Sequence, residues 1–237
     1  MATSLTTHCG NCAKGDFRSM RMFCNLHAEA LDEYLSIGLE KTFARGDILF
    51  QENGLGSCIF VICTGQVKLS CTSREGRTLI LRIAVPGDVL GLAAVISGST
   101  YEVTAEALMP TEVKNIERND FLSFHQKHSE ASLHAAQALS EDYKTAFVDA
   151  RRLALSGSAR GRLAGVLLEL GRAAAFRSKL EMRFTMALSH EELGNLIGSS
   201  RETVTRTMGR LKKDNLIQVR GSSILIVAPE LLEQLSA

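Results

Sequence analysis

No stretch of the 237-residue chain is apolar for long enough to cross a membrane. Its first residues, MATSLTTHCGNC, have neither the basic start nor the apolar core of a secretion signal. These absences predict a cytoplasmic protein without a membrane partner. No histidine lies between His27 and His125, so a metal enzyme built on a small barrel would lack its inward-facing imidazoles. No Ser/His/Asp or paired-carboxylate constellation replaces them, and an enzyme is not expected. Net charge is also scarce, at +1, but it is unevenly placed. Residues 151–237 hold 14 Lys+Arg against 8 Asp+Glu, leaving 13 against 18 in residues 1–150. A basic C-terminal part points to nucleic acid, because neutralising phosphates supplies much of such affinity.

The most informative stretch lies in that basic part, SHEELGNLIGSSRETVTRTMGRLKK from Ser189 to Lys213. Ser189 followed by Glu192 is a capping box that opens a helix with Leu193, Leu196 and Ile197 on its apolar face. Gly198 can take the left-handed conformation that ends it, and Ser199 or Ser200 can cap a second helix. Val204, Met208 and Leu211 turn that helix's apolar stripe inward. Arg201, Glu202, Thr205 and Arg206 then share the opposite face, where a recognition helix meets base edges in the major groove. Arginine can donate two hydrogen bonds to guanine and glutamate can accept from cytosine, which suits sequence-specific binding to double-stranded DNA. A Glu202–Arg206 surface pair is the competing use of the same residues. Ser199, Ser200 and Arg210 complete the expected DNA-binding set.

Ahead of this stretch, residues 1–25 form a polar leader carrying Cys9, Cys12 and Cys24, with His27 just beyond. Cysteines in a cytosolic chain are more often reduced thiols or metal ligands than disulfides. Three thiolates with a fourth ligand suit an iron-sulfur cluster, and three with His27 suit tetrahedral zinc. After a short helix from Leu26 to Ile37, short β-rich runs separated by regularly spaced glycines extend to about Ile116 and predict a rolled sheet or barrel. Ile48, Phe50, Ile59, Val61, Val67, Leu69, Leu79, Leu81 and Ile83 are its expected interior. A long helix, residues 132–155, carries Ala136, Leu139, Tyr143, Ala146, Ala150 and Leu153 at spacings of three and four. That narrow seam predicts a homodimer. Ser156 to Ser158 read as a hinge, Ala159 to Ala175 as a helix, and Ile217–Val219 with Ser223–Val227 as a β-hairpin wing. The fold class is α+β: a β-roll over residues 26–131, a dimerisation helix, and a winged helix-turn-helix over residues 156–237.

A β-roll, a long helix and a winged helix-turn-helix in this order resemble the Crp/Fnr family, the cyclic-AMP receptor and fumarate-nitrate-reduction regulators. The likeness runs from Leu26 to Leu235, and GSSRETVTRTMGRLKKDNLI from Gly198 is its most specific part. It implies a jelly-roll, cyclic-nucleotide-binding-like sensor domain and a transcription regulator that is a homodimer on a palindromic operator and meets RNA polymerase. It also implies that Arg201, Glu202 and Arg206 read a TGTGA-type half-site. Cyclic-nucleotide binders carry a glutamate for the ribose where this chain has Gly91-Leu92, and an arginine-serine pair for the phosphate near Tyr101-Glu102. A carboxylate there would repel a phosphate, so cyclic AMP is not the expected effector. The leader resembles the oxygen-sensing branch, which holds a [4Fe-4S] cluster. The branch's fourth cysteine, however, falls near Lys114 in this chain.

Overall fold

A computed structural model of the protein describes residues 26–155, 158–178 and 182–236; within these, the side chains of residues 149–155, 173 and 175–178 are not described. Cys9, Cys12, Cys24 and the Ser156-Gly157 hinge lie outside the described residues. The chain forms two compact units, one holding the chain up to Cys71 with Arg82–Lys144, the other Thr72–Leu81 with the chain from Thr145 on.

The N-terminal part of the chain opens with α1 (Ala28–Ser36) and continues through β1 (Leu39–Phe43), β2 (Ile48–Phe50), β3 (Cys58–Ile62), β4 (Val67–Thr72), β5 (Thr78–Ala84) and β6 (Val89–Leu90). A short helix, α2 (Leu92–Ser97), precedes β7 (Thr104–Ala107) and β8 (Thr111–Glu117), and α3 (Arg118–Lys127) and α4 (Ser129–Leu155) follow. The strands form two four-stranded sheets, ordered β1-β8-β3-β6 and β2-β7-β4-β5. This is the predicted roll, but two strands face differently from the expected interior. Every residue from Ile59 to Ile62 is buried. Phe60 and Ile62 join Phe50, Val67, Leu69 and Tyr101 in one core. Ile59 and Val61 pack instead with Tyr34, Phe121 and Phe124 from α1 and α3. In β5 the buried residues are Ile80 and Ala84, whereas Leu81 is exposed and Leu79 and Ile83 are half-buried. Ile48 is exposed as well. Side chains alternate along a strand, and in TLILRIA the polar Thr78 and Arg82 share the alternate set of the buried Ile80 and Ala84, so the wholly apolar set Leu79, Leu81 and Ile83 is the outer one.

Charged contacts fasten α1. Glu33 accepts from Lys127 Nζ at 2.7 Å and from His128 Nε2 at 2.9 Å, and His27 Nδ1 pairs with Glu130 at the start of α4. The Lys127 and His128 bonds, in that order, hold the Glu33 carboxyl below the usual glutamate range. His27 does the same for Glu130.

The second unit comprises α5 (Ala159–Ser178), β9 (Arg183–Thr185), α6 (His190–Ile197), α7 (Arg201–Lys213), β10 (Ile217–Arg220), β11 (Ser223–Ile226) and α8 (Pro229–Ser236). The strands make an antiparallel sheet ordered β10-β11-β9. Leu163 and Leu167 of α5, Leu193 and Ile197 of α6, and Val204 and Leu211 of α7 are all essentially buried. Three amphipathic helices and a small sheet thus leave one face of α7 outside the core.

Candidate nucleic-acid interface

The start of α6 is fixed by its own sequence. Ser189 N–H donates to Glu192 Oε2 at 2.9 Å and Glu192 N–H donates to Ser189 Oγ at 3.2 Å, the reciprocal capping box expected. At its end Gly198 adopts φ 61°, and the amides of Gly198 and Ser199 both donate to Gly194 O. The tight turn demands a second glycine at 194, where a Cβ would lie 2.6 Å from Ser199 O. Ser200, rather than Ser199, caps α7 by accepting from Thr203 N–H at 3.3 Å. Arg162 of α5 supports the turn from outside, its Nε donating to Ile197 O at 2.6 Å. Sequence reasoning missed Arg162, because its acceptor lies 35 residues away and belongs to the backbone.

On α7, Val204, Met208 and Leu211 are buried, joined by Thr207, which the periodicity did not single out. Arg201, Glu202, Thr205, Arg206 and Arg210 are exposed together, beside the exposed Ser200 and half-buried Ser199. Glu202 sits in the first turn and Arg210, Lys212 and Lys213 in the last, each end complementing the helix dipole. A hydrogen bond from the Glu202 amide, then Ser200, draws the Glu202 carboxyl below its usual range. Among the described residues Glu202 makes no ion pair with Arg206, leaving both charges open to a partner. The hairpin β10–β11 pairs Arg220 with Ser223 and places Arg220, Gly221 and Ser222 in solvent.

This surface can engage nucleic acid. Residues 161–235 match the Crp-like helix-turn-helix domain, and residues 40–128 match the cyclic nucleotide-binding domain. The chain belongs to the Crp/Fnr family of transcription regulators. Similar proteins include the cyclic AMP receptor protein of Thermus thermophilus, 26% identical over 215 residues that cover 91% of this chain and 96% of that one. The transcriptional activator protein Anr of Pseudomonas aeruginosa is 25% identical over 224 residues, covering 93% and 88% respectively. Among solved structures, FixK2 of Bradyrhizobium japonicum superposes with a TM-score of 0.78 at 22% identity, over 85% of this chain and 98% of that one, a likeness of fold. A CRP-family transcriptional regulator of Thermus thermophilus superposes at 0.66 with 25% identity, over 83% and 96%. This Crp/Fnr chain is therefore a DNA-binding transcription regulator, in a family of regulators and not enzymes. Among the described residues no helix is long and apolar enough to cross a membrane.

The Crp/Fnr regulator's roll has distinctive features at the positions the sequence marked. Tyr101 is buried, with its ring stacked on Phe50 at 4.1 Å between centroids. Its hydroxyl donates to Cys58 O at 2.7 Å and accepts from Cys58 N–H at 3.0 Å. Burial pushes the phenol's pKa up. Glu102 beside it is exposed. Lys114 is also buried, its ammonium donating to Tyr34 O at 2.8 Å and Leu35 O at 3.0 Å, 4.7 Å from the Tyr34 ring centroid. Cys58, Cys63 and Cys71 are thiols outside any disulfide, and among the described residues no three His, Cys, Asp or Glu side chains converge to hold a metal.

On α4 the residues of the predicted seam differ in exposure. Leu139 is half-buried against the core formed with α1 and α3, so within one chain it is an interior residue. Ala136, Tyr143 and Ala146 are exposed, with the exposed Phe147 beside Tyr143, and Leu133 and Val148 are exposed on other sides of the helix. Tyr143 and Phe147 are 72% and 65% exposed, unusual for large apolar side chains four apart on one helix. The side chains of Ala150 and Leu153 lie outside the described residues.

Proposed function

We propose that this regulator is a homodimer that reads a palindromic operator through α7 and takes its signal through the N-terminal unit. The observation that carries the reading is the division of α7, with Val204, Met208 and Leu211 buried while Arg201, Glu202, Thr205, Arg206 and Arg210 stand exposed together. Arg201 and Arg206 donate to guanine edges, Glu202 accepts from a cytosine amino group, and Ser199, Ser200 and Arg210 engage phosphates. The exposed stripe of α4 pairs with its counterpart in a second copy, placing two half-sites about one helical turn apart. RNA polymerase is the expected protein partner at the promoter. Selecting operators from a random library and repeating the selection with R206A tests the base-reading role. Loss of preference at one guanine, worth about 1–3 kcal/mol there, is expected. Equal weakening on every sequence would show that Arg206 touches only phosphate.

Cyclic AMP is not the effector in this reading. Tyr101, buried against Phe50 and bonded to Cys58, stands where the family's nucleotide binders carry an arginine for the phosphate, and Glu102 adds a negative charge beside it. The residues present do not fit a cyclic nucleotide.

A redox or metal signal is the second reading, supported by the way His27 is held. Its Nδ1 pairs with Glu130 while the side chain is 91% exposed, which leaves Nε2 open. A histidine that ligates a metal generally bonds its other ring nitrogen to such a carboxylate. Cys9, Cys12, Cys24 and His27 make a zinc-type ligand set, whereas a [4Fe-4S] cluster needs a fourth ligand that the buried Lys114 does not supply. Metal analysis and visible absorption of anaerobic protein, beside a Cys9/Cys12/Cys24 triple serine variant, separate these cases. Zinc is colourless and a cluster absorbs visibly. A wild type without stoichiometric metal would place the signal in the roll.

A further inference from the structure

Thr205, on the exposed face of α7, has a hydroxyl that is already occupied. Its Oγ1 lies 2.9 Å from Arg201 O, one turn earlier in the same helix, and 2.8 Å from Nδ1 of His190, the first residue of α6. A hydroxyl has one proton to donate and two lone pairs. If His190 carries its proton on Nδ1, it donates to Oγ1 and the hydroxyl donates to the Arg201 carbonyl. If Nδ1 is bare, the hydroxyl donates to Nδ1. In both tautomers the single proton is used within the protein, so Thr205 has no donor for a base. It can offer only its γ-methyl and acceptor lone pairs, one if Nδ1 donates to it and two if Nδ1 is bare. Threonine in a helix divides between two rotamers, and a second partner for the hydroxyl selects the one that keeps both bonds.

We infer that His190 is a positioning residue for base recognition: by holding the Thr205 hydroxyl in the rotamer turned toward its own helix, it makes Thr205 an apolar reader that favours the C5-methyl of thymine. The inference rests on the reading of α7 as the recognition helix. Guanine N7 and O6 need donors that Thr205 no longer has, whereas a thymine methyl needs only an apolar contact. The half-buried His190 thereby links the first helix of the motif to the chemistry of the second.

The test uses full-length protein and a selected operator in which each thymine of the half-site is replaced in turn by deoxyuridine, which removes only the methyl. Burying one methyl contributes about a fourfold preference. Wild type and T205V are expected to lose about fourfold at one thymine. T205S, without the methyl, is expected to bind both forms equally at that position. H190A removes the second bond that holds this rotamer, so that the hydroxyl can turn from the Arg201 carbonyl toward a base, and is expected to admit guanine or adenine there. H190N, whose amide nitrogen can replace Nδ1–H, is expected to restore the wild-type preference. If T205V loses discrimination at that base pair, or H190A weakens all operators without changing the preferred sequence, the inference is wrong. R206A keeps the two levels apart. If it too leaves the preferred sequence unchanged, α7 is not the base reader, and the reading beneath the inference falls.

Discussion

Replacing Gly194 by alanine tests whether the close approach of α6 to the following turn sets the position of α7. The new Cβ would lie 2.6 Å from Ser199 O, 3.4 Å from the Ser200 carbonyl carbon and 3.5 Å from Arg201 N. All three are backbone atoms of the turn, so no side-chain rotation relieves the contact. Ordinary carbon-oxygen approach begins near 3.3 Å, and the turn must retreat by about 0.7 Å to accept the methyl. Overpacking of this kind costs about 1–3 kcal/mol, and alanine's helix preference returns about 1 kcal/mol. Gly209 supplies the control. It lies within α7, and a Cβ there would meet nothing within 4 Å, so G209A should gain only the preference, about 0.5–1 kcal/mol. The two substitutions change the chain identically, and their difference isolates the contact. Thermal melts of the DNA-binding unit should place G194A several degrees below G209A, since about 1 kcal/mol shifts a domain of this size by about 4–8 °C. Fluorescence anisotropy should show specific operator affinity falling at least about tenfold for G194A, as the displaced arginines miss their base edges. A G194A protein that melts with G209A and keeps wild-type operator affinity would refute the reasoning.

Placing a charge in the exposed stripe, as in F147D, should dissociate the proposed dimer in sedimentation and lower operator affinity with it, because two like charges would face each other in an apolar seam. An unchanged dimer would put the interface elsewhere. The anchoring of α1 should depend on pH in one direction. Because the Glu33 carboxyl is held below its usual range, its contribution is present above the ordinary value of about 4.3 and is lost as pH falls through the depressed value. Hydrogen-exchange protection across Ala28–Ser36, taken relative to the intrinsic rate at each pH, should therefore fall on acidification below about pH 4 in wild type, and should already be low at neutral pH in E33Q. Exchange unaffected by either change would mean that apolar packing of Ala30 and Tyr34 alone holds the helix.

What the sequence determined here are the features governed by local chemistry. The Ser189 capping box, the left-handed Gly198 and the buried stripe of Val204, Met208 and Leu211 all depend on residues within a turn or two of one another. Helix α7 and its buried stripe were legible for that reason, and so was the order of roll, long helix and wing. Tertiary structure decided whatever depended on which side of an element meets another. Strand β3 has no polar phase to mark an inner face, so packing alone divides Ile59 and Val61 from Phe60 and Ile62, and in β5 the phase that carries Thr78 and Arg82 is the one that buries Ile80 and Ala84. Leu139 shares its spacing with the exposed stripe yet turns into the core of its own unit. Contacts across long sequence separations were invisible for the same reason. Lys114 meets carbonyls of α1 some 80 residues away, and Arg162 braces a turn 35 residues on. His190 is only 15 residues from Thr205, but their hydrogen bond exists because α6 and α7 cross at the angle set by the Gly198 turn and the buried residues beneath it. Periodicity locates a side chain on its own helix; only packing decides which group on the next helix it touches.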